Sequence, residues 1–191
     1  PPMPAQPTNS QKENFPLAQL HYLNSCYNRT DCGYPTDNPT QVFHLIGQDV
    51  ATELKALLAK WKQGDVSEFA LSDASHTFLQ IPDRQVQEAA LQLLAHLPPG
   101  PDHFHALTSA IPIARESIIA ELILMELKRY LPLGFEEQIQ NAICQTIASA
   151  PPATAQIVAK HSIHYITPDN IAFFNDFLES LPPGKISEQL A

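Results

Sequence analysis

The stretch "PDRQVQEAALQLLAHLPPG", residues 82–100, carries the clearest fold signal in this chain of 191 residues. It opens with Pro82 and Asp83, which suit the first turn of a helix, and its last apolar residue precedes two prolines and a glycine. Its apolar side chains recur at steps of three and four residues, the spacing of one helix face: Val86, Ala89, Ala90, Leu93, Leu94 and Leu97. The stretch therefore predicts one amphipathic helix with a defined start and stop.

The same kind of stop, Leu-Pro-x-Gly, begins at Leu97, Leu131 and Leu181. Each of these leucines follows a segment whose apolar residues are spaced as on one helix face. Proline ends a helix because it lacks an N–H group and clashes with the preceding turn, while glycine permits the turn that reverses the chain. We therefore expect each motif to form a corner between two antiparallel helices.

Helical periodicity also dominates elsewhere in the chain. The segment "DVATELKALLAKW" places its apolar residues on one face: Val50, Leu54, Leu57, Leu58 and Trp61. Strand signals are confined to "TQVFHLI" from Thr40 and "HSIHYIT" from His161, and two short segments do not make a sheet core. The sequence predicts an all-α fold.

Residues 82–97 resemble the second helix of a HEAT-type repeat, since an Asp is followed by a Val, an Ala pair and spaced leucines. Gln87 stands where that repeat has Arg, and the Leu-Pro-x-Gly motifs are unevenly spaced. The resemblance implies antiparallel helix pairs stacked as a HEAT-like α-α superhelix. A nonrepetitive helical bundle is the alternative.

Composition divides the chain into three parts. Residues 1–16 are rich in Pro, Gln and Asn, and we expect a disordered lead because so few apolar side chains cannot offset the entropy of ordering. Residues 17–39 hold two cysteines among turn-forming residues and predict an irregular clasp. Residues 40–191 are the predicted helical domain.

The chain opens "PPMPAQ" without an initiator Met, as an exported protein that is mature or truncated would, and we expect it to be periplasmic or secreted.

The charge balance argues against a nucleic-acid partner, and the length of the apolar stretches argues against a membrane span. With 20 acidic and 11 basic residues the net charge is -9, which repels phosphate backbones, so we expect no nucleic-acid partner. The most apolar stretch, "IIAELILMEL" at residues 118–127, contains two glutamates and is about half the ~20 residues that a membrane span needs. We interpret it as a core helix and expect no transmembrane segment.

Cys26 and Cys32 are separated by five intervening residues in a polar loop, a spacing that allows a local disulfide and differs from the C-x-x-C of redox and zinc sites. We predict a disulfide here, with reduced thiols and a metal site that recruits His21 and His44 as the alternatives. A disulfide would place the chain in an oxidising compartment. Cys144 neighbours Ile143 and Ile147, and we expect a buried, inert thiol.

No cofactor or metal site is predicted from the motifs. His103 and His105 are two residues apart and fall on different sides of a helix, while His161 and His164 have no acidic ligand at a matching step. Zinc-peptidase, nucleophile-elbow, phosphate-loop and dinucleotide glycine patterns are all missing from the sequence.

These observations favour a noncatalytic scaffold or adaptor that binds a protein or peptide outside the cytoplasm. The predicted contact residues lie on the polar side of the helix predicted at residues 82–97: Arg84, Gln87, Glu88 and Gln92. One alternative is a hydrolytic or lytic enzyme that uses Glu121 or Glu126 as its acid, since a carboxyl in apolar surroundings has a raised pKa. The other is a carrier whose apolar cavity is lined by residues 118–127 and by Phe173, Phe174 and Phe177.

Overall fold

The computed structural model of the chain describes residues 9–29 and 31–181, with side chains from residue 17 onward. Every regular element within these ranges is a helix and none is a β-strand, so the predicted all-α class is confirmed. The chain divides into two compact units, residues 1–98 and residues 99–191. Each unit contains its own set of buried apolar residues.

The first unit contains four helices, α1 (Asn9–Cys26), α2 (Pro39–Lys62), α3 (Glu68–Leu79) and α4 (Arg84–His96). Both α1 and α4 pack against α2 and α3. The residues that meet in this core are fully buried and lie on the helix faces predicted from the sequence: Val50, Leu54, Leu57, Val86, Leu93 and Leu94.

Helices α2 and α4 approach closely at Gly47. Asp83 is the N-cap of α4, and its Oδ1 accepts a hydrogen bond from the Val86 backbone N–H at 3.1 Å. A Cβ atom on Gly47 would lie 2.9 Å from Asp83 Cγ, closer than real Cβ contacts. The α2–α4 contact therefore depends on a residue without a side chain at position 47.

The N-terminal boundaries differ from those expected. Residues 9–16, placed in the disordered lead, begin α1, while residues 1–8 lie outside the described residues. Because α1 continues to Cys26, with Leu20 and Leu23 buried, the predicted clasp of residues 17–39 is irregular only between α1 and α2.

The segment from Thr40 to Ile46, one of the two stretches with strand-like composition, forms the first turns of α2. The reason lies just before it, where Asn38 Oδ1 accepts hydrogen bonds from the backbone N–H groups of Thr40 and Gln41. Pro39 occupies the first helical turn, where its fixed φ suits the helix and its missing N–H costs nothing. Local capping thus outweighs the strand-like composition.

The second unit contains five helices in the described part of the chain, α5 (Pro101–Ala110), α6 (Ser117–Leu127), α7 (Glu136–Ser149), α8 (Pro152–Ser162) and α9 (Ile171–Ser180). Helix α8 packs against α6 and α7, and α6 packs against α5. The other strand candidate, from His161, is the end of α8 followed by a 3-10 helix at Ile163–Tyr165.

The Leu-Pro-x-Gly motifs end helices in two different ways. Leu97 and Leu181 take extended conformations that terminate α4 and α9, as predicted, although residues 182–184 lie outside the described residues. At the middle motif, α6 has already ended, and Leu131 and Pro132 belong to a 3-10 helix, Lys128–Leu133, that precedes left-handed Gly134 with φ 86°. Here α6 packs chiefly on α5 and α8 while α7 packs on α8, so the corner does not join a packed helix pair.

Helix α6 is 11 residues long. Within residues 9–29 and 31–181, no helix combines the length and apolar character needed to cross a membrane.

Candidate functional site

A cavity of about 610 Å³ lies beside the loop between α1 and α2, and its lining residues all belong to the first unit. Its volume falls in the range of about 300–1,000 Å³ that is usual for ligand sites. More of its surface is apolar than polar. The apolar lining comes from the two half-cystines, three aromatic rings and two aliphatic side chains: Cys26, Cys32, Tyr27, Tyr34, Phe43, Val42 and Ile46. We refer to this cavity as the loop pocket.

The loop that walls the pocket is tied to both flanking helices. The sulfur atoms of Cys26 and Cys32 lie within disulfide-bonding distance, with Cα atoms 5.9 Å apart, which attaches the loop to the end of α1. The Tyr34 hydroxyl donates a hydrogen bond of 2.9 Å to Asp49 Oδ2, which attaches the loop to α2. The cysteine pair and the Tyr34–Asp49 hydrogen bond therefore hold the pocket wall in place before any ligand binds.

Tyr27 and Phe43 form the aromatic part of the wall, with ring centroids 5.0 Å apart and planes inclined by 54°. The Tyr27 hydroxyl is buried and forms no hydrogen bond to any residue that the structure describes. Burial, reinforced by the negative charge of Asp83, raises the pKa of Tyr27. Tyr27 therefore stays neutral near neutral pH, and the pocket acquires no charge from it.

The loop also carries an ion pair. Arg29 donates two hydrogen bonds of 2.9 Å to the two carboxylate oxygens of Asp31, one from Nε and one from Nη2. The Arg29 guanidinium lowers the pKa of Asp31 through these bonds and through its charge. Arg29 and Asp37 line the pocket as its charged groups, so one positive and one negative residue border a mainly apolar cavity.

The predicted contact face on α4 is only partly exposed. Arg84 and Gln92 are exposed and Glu88 is half-buried, as a surface face requires. Gln87 is 0% exposed, and its Nε2 donates a long hydrogen bond of 3.5 Å to the Leu79 carbonyl at the end of α3. Its assignment to the binding face needs correction, because α4 packs on two helices and the buried arc is wide enough to include position 87.

The two glutamates considered as catalytic acids occupy unlike positions on α6. The Glu126 carboxylate accepts a hydrogen bond from Arg129 Nη1 in an ion pair. Glu121 is half-buried. The ion pair occupies the Glu126 carboxylate, and neither residue lines the loop pocket.

The remaining cysteine is a buried thiol, and the histidines join no metal-ligand group in the part of the chain that the structure describes. Cys144 is 7% exposed, and burial raises the pKa of its thiol to about 11, so it is held as an unreactive thiol. Among residues 9–29 and 31–181, no group of three or more His, Cys, Asp and Glu side chains is placed to hold a metal ion.

The phenylalanines expected to line a carrier cavity differ in exposure. Phe173 is 44% exposed, Phe174 is buried, and Phe177 is half-buried. The buried residues of α6 belong to the core of the second unit. The loop pocket is formed by none of these residues.

Comparisons with protein-family models, with curated proteins and with solved structures find no match to this chain.

Sequence reasoning identified the two cysteines that lie within disulfide-bonding distance but missed the pocket that they border. Its aromatic residues come from the loop and from the first turns of α2, a stretch whose composition is strand-like. The available signal was the density of aromatic residues, since Tyr27, Tyr34 and Phe43 all lie close to the two cysteines in the sequence.

Proposed function

We propose that this chain is a noncatalytic binding module whose loop pocket holds one aromatic or large aliphatic side chain of a protein partner. The observation that carries this proposal is a cavity with aromatic walls on a loop tied to two helices. Protein interfaces draw most of their binding energy from a few large side chains that enter such pockets. A wall fixed before binding lowers the entropic cost of association.

The exposed residues of α4, Arg84 and Gln92, together with half-buried Glu88, remain the proposed second contact area. They carry charge and hydrogen-bonding groups but no large apolar anchor, so they contribute orientation more than affinity. We also propose that the helices within each unit stack as HEAT-like α-α pairs, which is supported in the first unit by the packing of α4 on α3, its neighbour in the sequence. The paired cysteines support a periplasmic or secreted location, since disulfides persist in oxidising compartments.

The experiment is selection of peptides from a phage-displayed library of random peptides on the full oxidised chain, followed by affinity measurement for three proteins. These are the unmodified chain, Val42→Trp, which fills the pocket from within, and Lys55→Trp, which adds the same side chain at an exposed position of α2. We expect the selected peptides to contain a required aromatic or large aliphatic residue. Affinity for Val42→Trp should fall about tenfold or more, because an excluded anchor costs at least ~1.4 kcal/mol.

Lys55→Trp should bind like the unmodified chain, and circular dichroism must show that both variants keep the helical content. Peptides that bind Val42→Trp and the unmodified chain equally would contradict the pocket as the binding site.

The volume of the pocket also favours a second candidate function, in which the chain is a carrier of a small apolar ligand. If the chain is such a carrier, indole, used as a probe, should displace the selected peptides from the loop pocket and should bind about as tightly as they do.

A further inference from the structure

A second cavity, of about 470 Å³, lies along α5 and α7 of the second unit. Its lining residues include no Asp, Glu, Lys or Arg, and His105 is the one titratable side chain among them. We refer to this cavity as the amide groove, because amide and hydroxyl side chains dominate its polar part: Thr108, Ser109, Gln138, Asn141, Gln145 and Ser149. Recognition in this groove must therefore rest on hydrogen bonding without opposite charges.

Three of these side chains form a row on α7. Gln138, Asn141 and Gln145 follow one another at steps of three and four residues, which places them on one helix face. All three are exposed, and none of their side-chain amides forms a hydrogen bond with any residue in the described part of the chain. Each offers one carbonyl acceptor and an NH₂ donor to a ligand.

We propose that this row of amides binds the main chain of an extended peptide. A side-chain amide presents a donor beside an acceptor, which complements the N–H and C=O groups of a peptide unit. The helix rises about 1.5 Å per residue, so the row spans about 10 Å from Gln138 to Gln145. An extended peptide advances about 3.3 Å per residue, so the row reaches about three successive residues.

The hydroxyl groups of the groove complement the amides. Thr108 Oγ1 donates to the Phe104 carbonyl at 3.1 Å, and Ser149 Oγ donates to the Gln145 carbonyl at 2.6 Å. Their protons are thus used within the helices, which leaves the oxygen atoms as acceptors for peptide N–H groups. The groove holds donors in its amides and acceptors in its amides and hydroxyls, as a main chain requires.

A sugar chain would use the same polar groups but would also favour an open aromatic face. Phe104 is half-buried, and its ring packs against Phe135 at 4.8 Å and against Tyr130 at 5.5 Å between centroids. Because these rings occupy Phe104, the groove offers hydrogen bonds more than stacking, which favours the peptide. The inference uses residues 104–149 only and does not rest on the loop pocket.

The test is a nuclear magnetic resonance titration of the full chain with acetyl-tetraalanine-N-methylamide, a peptide that offers little besides its main chain. The side-chain NH₂ signals of Gln138, Asn141 and Gln145, each assigned by substitution, should shift on addition. A version of the same peptide methylated at its backbone nitrogens should shift them much less, since it keeps its carbonyl acceptors but lacks the N–H donors that the amide and hydroxyl oxygens would accept.

Matched variants complete the experiment. Asn141→Leu combined with Gln145→Leu should weaken binding about tenfold or more, since it removes several hydrogen bonds while keeping side-chain size. Gln156→Leu, at an exposed position of α8 outside the groove, should bind like the unmodified chain. Val42→Trp should also bind the probe normally, which separates this result from the outcome for the loop pocket.

Three results would overturn the inference: unchanged NH₂ signals with the tetraalanine peptide, equal shifts with its N-methylated form, or equal binding by the double leucine variant. Shifts of the same signals by maltohexaose but not by the peptide would also overturn it and would assign the groove to a neutral sugar chain.

Discussion

The three cysteines occupy two chemical states that a thiol reagent distinguishes. Cys26 and Cys32 lie within disulfide-bonding distance, while Cys144 is a buried thiol whose pKa burial raises to about 11. We predict that the native, unreduced chain labels slowly at pH 8 or not at all. Unfolding without reductant should expose Cys144 alone, and reduction should expose all three, as intact mass will show. Rapid labelling of two further cysteines in the native, unreduced protein would rule out the disulfide.

Gly47 sets the distance between α2 and α4, so Gly47→Ala is predicted to destabilise the first unit. The new Cβ would lie 3.0 Å from each Asp83 carboxylate oxygen, which forces the N-cap of α4 to move. Overpacking of this kind costs about 1–3 kcal/mol, which exceeds the gain of up to about 1 kcal/mol from replacing a helical glycine.

Urea unfolding measures this change, and Lys55→Ala, at an exposed position of the same helix, should stay within about 0.5 kcal/mol of the unmodified chain. A Gly47→Ala variant that is more stable than the unmodified chain would show that α2 and α4 are not held this closely. The sequence alone did not reveal this role, since the residue that requires glycine lies on another helix.

Tyr34 links stability to alkaline pH. Burial, followed by the hydrogen bond to Asp49, raises its pKa to about 12, while an unfolded tyrosine titrates near pH 10. The folded state therefore holds the proton more tightly, and stability is predicted to fall as the pH rises from about 10 to about 12. Tyr34→Phe should flatten part of that fall in urea unfolding curves recorded across this range. A variant with the same pH dependence as the unmodified chain would contradict the shifted pKa.

At the scale of helices, substitutions on the two sides of α4 test which face of this helix is buried. Leu94 is 2% exposed on a helix that packs against both α2 and α3, so Leu94→Ala is predicted to cost about 2–5 kcal/mol in urea unfolding. Gln92→Glu, on the exposed side of the same helix, should change stability by no more than about 0.5 kcal/mol. If Gln92→Glu destabilised the chain and Leu94→Ala did not, the face of α4 that carries Gln92 would be the buried one.

Helices with a regular apolar period could be predicted from the sequence, as α2 and α4 show. The start of α2 could not, because composition alone did not separate a strand at Thr40 from a helix capped by Asn38. The middle Leu-Pro-x-Gly corner was also predicted incompletely. The motif lies in the 3-10 helix that follows α6 and not at the end of α6, and packing of α6 on α5 and α8 decides which helices become partners. The buried state of Gln87 depends on the same kind of long-range packing.

At the scale of the molecule, the division into residues 1–98 and 99–191 predicts two folding units. Each has its own apolar core, so each fragment expressed alone should be helical and should unfold cooperatively on heating, as circular dichroism measures. Fragments that are both unfolded would show that neither core is sufficient without the rest of the chain.

The disulfide of the candidate site was predictable from the sequence, but the pocket was not. Cysteine spacing in a polar loop indicates a local bridge whatever the fold around it. A cavity requires the rings of Tyr27 and Phe43 to meet across the junction of loop and helix, and only the folded chain shows that they do. The amide groove likewise requires residues of α5 and α7, which are far apart in the sequence, to border one cavity.

The most direct test of the central claim is the fluorine spectrum of the chain labelled with fluorophenylalanine, recorded with and without a peptide selected on it. Phe43 lines the loop pocket, and its signal is assigned by Phe43→Leu. An anchor residue that enters the pocket should shift the Phe43 signal and leave that of Phe69, which is exposed on α3 outside the pocket, in place. Saturating peptide that leaves the Phe43 signal unchanged would contradict binding in the loop pocket.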